Sequence, residues 1–115
     1  MNGNIVTRKI RVTLTGWSDY VFDAGYKLRP LTEVENYIQQ HHHLPEVPSA
    51  AEVEKNGLDV GDNQATLLKK IEELTLYVIE QNKTLQNQQN LIEQQASLLK
   101  SQQEQLDVLK KQIKK

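Results

Sequence analysis

Hydrophobic residues in this chain keep two different rhythms. From Ile71 onward an aliphatic residue returns at every seventh position: Ile71, Val78, Leu85, Ile92, Leu99, Leu106 and Ile113. The companion positions, four residues before each, are Leu67, Leu74, Gln81, Gln88, Gln95, Gln102 and Leu109. In heptad notation the first set is a and the second is d, and so regular an a series predicts a coiled-coil helix. Residues 63–115 hold no Gly, Pro or His, so nothing interrupts it. Such a helix would run about 80 Å at roughly 1.5 Å per residue. That is too far to fold back on the preceding residues, so it needs partner helices.

Four of the d residues are Gln, each three positions after an aliphatic a residue. Buried amides cost stability unless they bond to one another, to water or to an ion. Polar layers do fix register and oligomer number in some coiled coils. Leu91 and Leu98, at g, widen the apolar stripe and favour more than two helices, although aliphatic a with Leu d also suits a dimer. Between Leu67 and Ile79, four residues (Leu68, Leu76, Tyr77 and Ile79) lie outside the seam. A helix apolar on several faces is covered on several faces, so a head is expected around this first third. Lys110, Lys111, Lys114 and Lys115 complement the dipole at the helix end.

The other rhythm is period two. Ile10, Val12 and Leu14 alternate with Lys9, Arg11 and Thr13, which predicts a half-buried β-strand within residues 1–15. Arg8, Lys9 and Arg11 then form its solvated face. No glycine-rich or stacking motif surrounds them to suggest nucleic acid. Next, Gly16-Trp17-Ser18-Asp19-Tyr20-Val21-Phe22 is dense in aromatics, and Asp23-Ala24-Gly25 reads as a turn. The expected head core is Trp17, Tyr20, Phe22, Ile38 and Val53, packed on Leu68, Leu76 and Tyr77 of the same chain or of neighbouring chains. A carbohydrate-binding platform is the competing reading of the aromatics. Thr32-Glu33-Val34-Glu35 and Ser49-Ala50-Ala51-Glu52 have the form of capping boxes, each opening a short helix. Val34, Tyr37, Ile38 and His41 share a face of the first. Lys55-Asn56-Gly57 ends the second, and Asp62 is placed to cap the long helix.

Composition sharpens the boundary near residue 62. All five Gly, all three Pro, all three His and five of the six aromatics precede it. Ten of the last 35 residues are Gln. The fold class expected is α+β, mainly α. A small head over 1–62, with one strand and short helices, surrounds a long parallel coiled-coil helix over 63–115. The absence of Cys excludes disulfides and thiol catalysis. A net charge of -1 supplies no general attraction to nucleic acid or acidic lipid. No stretch reaches the roughly 20 apolar residues of a membrane span. His41-His42-His43 invites a metal reading, but consecutive helical side chains point about 100° apart and cannot all reach one ion. Neither metal nor cofactor is expected, and helix-end polarity is the preferred reading.

Several separated motifs together resemble a C-terminal module of large secreted Bacteroidota proteins described as tail-fibre-like or cell-surface. They are Trp17-Ser18-Asp19-Tyr20-Val21-Phe22, Tyr26-x-Leu28-x-Pro30-Leu31-x-Glu33-Val34-Glu35, His43-Leu44-Pro45-x-Val47-Pro48-Ser49-Ala50-x-Glu52-Val53 and Leu68-x-Lys70-Ile71-Glu72-Glu73-Leu74-Thr75-Leu76-Tyr77. Asn2-Gly3-Asn4-Ile5 is similar to the end of a preceding repeat, which would make this chain part of a longer fibre. The polar d layers resemble stalks of trimeric autotransporter adhesins, where Asn is usual. The layout is also similar to the C-terminal intramolecular chaperones of phage tail spikes, some of which cut themselves at a Ser-Asp start. Ser18-Asp19 echoes that start, but the Arg-Leu-Lys pattern after it is missing, so autoproteolysis does not carry over.

The resemblance implies a non-enzymatic homotrimeric tip that aligns three chains and helps fold or cap a fibre. Its partners would be two further copies of itself and the upstream fibre segment, without nucleic acid or membrane insertion. It would be extracellular or at a cell surface, within a longer parent or a phage or injection-particle fibre. The alternatives are an adhesin tip binding glycan or protein through Trp17 and Tyr20, and a self-cleaving chaperone.

Overall fold

A computed structural model describes residues 3–114. The first two positions of the expected strand, Asn2 of the leading motif and Lys115 of the terminal lysines lie outside the described residues. Three helices follow in chain order: α1 (Leu31–His41), α2 (Ala50–Asn56) and α3 (Val60–Ile113). A mostly helical chain with one long helix is compatible with a coiled-coil-like structural protein.

The described residues contain no strand, which corrects the expected α+β head. A strand is made by its ladder, and even an isolated hairpin is marginal in water. Among the described residues no backbone hydrogen bond ties residues 3–15 to a neighbouring extended segment. Part of the alternation survives as packing. A Cβ on Gly61 would stand 2.8 Å from Val12 Cγ1 and 3.6 Å from Leu14 Cδ2, so these two side chains lie on the first turn of α3. Gly61 is buried there because only hydrogen fits under Val12. Ile5, Val6 and Ile10 are exposed.

Two compact units divide the chain, the first ending at Leu74 and the second beginning at Thr75. In the first, residues 16–26 form successive tight turns. The Asp19 amide donates to Trp17 O (2.9 Å), the Asp23 amide to Tyr20 O (3.2 Å) and the Tyr26 amide to Asp23 O (3.0 Å). These turns enclose Ser18 and Val21. In this single chain Trp17 and Phe22 stay 46% and 57% exposed, and Tyr20 and Ile38 are exposed as well. Val53, Leu68, Leu76 and Tyr77 are half-buried. Within one chain the buried residues of this segment are Ser18 and Val21, and the expected aromatics are not covered by their own chain.

Helix boundaries follow local chemistry. Ser49 caps α2 as expected: its Oγ accepts from the Glu52 amide (3.2 Å) and donates to Glu52 Oε1 (3.1 Å). The expected box at Thr32 does not form. Pro30 takes the N-cap position of α1, with no side-chain cap, because its carbonyl already accepts from Glu33 and Val34. Gly57 closes α2 at φ 76°, its amide on Val53 O at 2.8 Å. α3 opens before Asp62, whose amide faces Asp59 Oδ1 at 3.5 Å, so Asp59 stands where Asp62 was expected.

Candidate oligomerisation surface

Within the first unit, one side of α3 is covered by its own chain and another is left open. The covered side is organised by Tyr26, Glu46, Lys69, Lys70 and Glu73. Leu44 to Val47 form a turn in which the Val47 amide donates to Leu44 O (3.2 Å), with Pro45 buried at the first corner. Glu46 sits at the second corner with φ 68°, a left-handed conformation that Gly or Asn would adopt more readily. For a non-glycine residue that costs about 1–2 kcal/mol. The turn aims the Glu46 carboxylate at α3. It pairs there with Lys69, and with Lys70 at 3.4 Å.

Lys70 also reaches Glu73 at 3.2 Å, one turn along the helix. Glu73 is 8% exposed and accepts a 2.6 Å hydrogen bond from the Tyr26 hydroxyl. The Tyr26 ring lies 5.9 Å from that of Tyr20, and the Lys69 ammonium stands 5.7 Å from the Tyr20 ring centre. Burial, then the Glu73 hydrogen bond and charge, pushes the Tyr26 phenol far above its usual range, so it remains a donor. Burial also raises Glu46, but the Lys69 hydrogen bond and the two lysine charges outweigh it and hold the carboxyl below its usual value. Lys69 moves the other way: burial lowers it, and Glu46 more than restores it, leaving it raised. The five residues form an intrachain clamp between the head and α3.

Lys69, Lys70 and Glu73 occupy heptad positions f, g and c, behind or beside the a/d seam. Leu67, Ile71 and Leu74 of that seam are exposed in the same unit. In the second unit, Val78, Leu85, Ile92, Leu99, Leu106 and Ile113 are 50–80% exposed, and Leu109 is exposed with them. Gln81, Gln88, Gln95 and Gln102 are exposed in the single chain too. On a helix surface position d lies between a and g. Gln95 is accordingly flanked at i±3 and i±4 by Leu91, Ile92, Leu98 and Leu99, all aliphatic. Side-chain bonds from Gln89 to Glu93 (3.3 Å) and Gln103 to Asp107 (3.2 Å) use positions e and b, on the polar flank.

Sequence reasoning missed the clamp. Tyr26 and Glu73 are 47 positions apart, so no local pattern pairs them. The one available signal was Glu46, an acid between two prolines that stiffen its turn. Ser18, the candidate nucleophile of the self-cleavage reading, is fully enclosed, and its Oγ has no hydrogen-bond partner. Among the described residues no group of three or more His, Asp or Glu is arranged to hold a metal ion, and no helix is long and apolar enough to cross a membrane. Comparison with known proteins gives no matching family model, curated protein or solved structure.

Proposed function

We propose that this chain is a non-enzymatic association module, a parallel homotrimer that aligns and caps a fibre-like secreted or surface protein. The observation that carries it is the aliphatic a series of α3, exposed from Val78 to Ile113. Each such side chain gains about 1.5–3 kcal/mol on full burial, so association has a strong driving force. The parallel, in-register arrangement is favoured because only it brings each Gln layer against its own counterpart. Leu91 and Leu98 broaden the stripe beyond what two helices cover. The clamp supports the same reading, since within the first unit it leaves Leu67, Ile71 and Leu74 of the seam exposed. A nucleophilic serine needs a neighbouring base, and Ser18 Oγ contacts none.

Light scattering on the purified chain tests this. A mass of three chains is expected at micromolar concentration. A monomer overturns the proposal, and a stable dimer overturns the trimer count.

The exposure of Trp17 and Phe22 favours a second reading, an adhesin surface on the head. Acrylamide quenching of Trp17 in the assembled protein separates the two. An accessible indole supports a binding surface, whereas a shielded one means that neighbouring copies cover it.

A further inference from the structure

The three consecutive histidines do not continue a helix, and this changes what they can do. α1 ends at His41. His42 adopts the left-handed conformation (φ 60°, ψ 24°), with its amide on Ile38 O at 2.8 Å. That reversal brings His43 back beside His41, with ring centres 6.0 Å apart. Tyr37, one turn earlier, packs against both, 4.2 Å from the His41 ring and edge-on to His43 at 5.6 Å. His43 Nδ1 lies 2.9 Å from Leu44 O. A carbonyl only accepts, so Nδ1 is the donor in this bond and Nε2 is the nitrogen left to meet a metal ion. Such an orienting bond is the usual companion of a metal-ligating imidazole.

We infer that His41 and His43 form a two-imidazole site for a late first-row divalent cation such as Cu²⁺, Ni²⁺ or Zn²⁺. Imidazole suits these ions. With metal–nitrogen bonds of about 2.0–2.1 Å, two imidazoles on one ion have ring centres roughly 5 Å apart at a tetrahedral angle and nearer 6 Å at a wider one. The observed 6.0 Å separation matches the wider of these angles. Water fills the remaining coordination positions, since no third protein ligand is grouped with the pair. His42 supplies the backbone reversal and is not one of the paired imidazoles. The site is complete within one chain and does not depend on how many copies associate.

Calorimetric titration of the full chain with Ni²⁺ in neutral, non-chelating buffer tests the assignment. One ion per chain is expected. His41→Gln and His43→Gln should each weaken binding by at least the about 10–100-fold that loss of an outer-shell partner costs. His42→Asn, which tolerates the left-handed backbone, should leave affinity unchanged. Should a variant fail to fold, paramagnetic broadening in the unsubstituted protein decides instead: the His41 and His43 ring signals should broaden before those of His42. Absence of saturation up to millimolar Ni²⁺ overturns the site. So does one ion per three chains, or an equal loss with His42→Asn.

Discussion

Replacing Tyr26 by Phe should loosen the head and leave the distal helix untouched. The change keeps the ring and its 5.9 Å approach to Tyr20, and deletes only the 2.6 Å hydrogen bond to Glu73. A hydrogen bond to a charged group contributes about 1.5–3 kcal/mol. Glu73 keeps Lys70 at 3.2 Å, and Tyr26 is only half-buried, so the lower part of that range applies. A loss of about 1.5–2 kcal/mol raises the equilibrium constant for head opening roughly 10–30-fold, at about 1.4 kcal/mol per factor of ten. Native-state hydrogen exchange reads this directly. Amides of α1, α2 and residues 19–26 should exchange faster by that factor in Tyr26→Phe, while those of residues 85–105 keep their rates. Combining it with Glu73→Gln should cost less than the sum of the two single changes. Unchanged head protection, or equal acceleration along the whole of α3, would show that Tyr26 and Glu73 do not hold the head.

Changing Gln81, Gln88, Gln95 and Gln102 together to Leu should raise the melting temperature and admit other registers or oligomer numbers; a lower melting temperature at unchanged mass would mean the amides stabilise outright. Ser18→Ala should stabilise the head by about 1 kcal/mol, since it removes a buried hydroxyl that bonds to nothing; destabilisation in chemical denaturation would reveal a partner for that oxygen. Glu46 is held below its ordinary value of 4.5, so its contribution is complete above that pH and is lost as pH falls through the lower, folded value. Lys69 is raised above 10.5, so its share is complete below that pH and fades as alkali passes the raised value. Head protection factors, corrected for the pH dependence of intrinsic amide exchange, should therefore fall at both extremes in the native chain, and Glu46→Gln should flatten the acid limb.

What the sequence made legible was what one segment decides by itself. α3 could be read because its heptads repeat and no Gly or Pro follows Gly61. The Ser49 cap could be read because donor and acceptor are three residues apart. The strand failed for the opposite reason: alternation at Ile10, Val12 and Leu14 encodes a face, not the ladder partner a strand requires. Val12 and Leu14 used that face on Gly61 instead. Thr32 lost its capping role because Pro30 carries a fixed φ and a carbonyl already in place. The clamp joins a turn near residue 26, a turn near residue 46 and a helix near residue 70, a meeting that only the folded chain defines. His43 could not be paired with His41 while His42 was assumed helical.

Because every contact of the clamp lies within one chain, closing the head is a first-order event whose rate is indifferent to dilution. Zipping of the a/d seam between copies would be of higher order and would slow as the protein becomes scarce. A freshly made chain would thus wait with its head closed and its seam bare. Long apolar stripes in such waiting species invite random aggregation. An amide recurring every seventh residue would hydrate this one and so slow such aggregation until copies in matching register met.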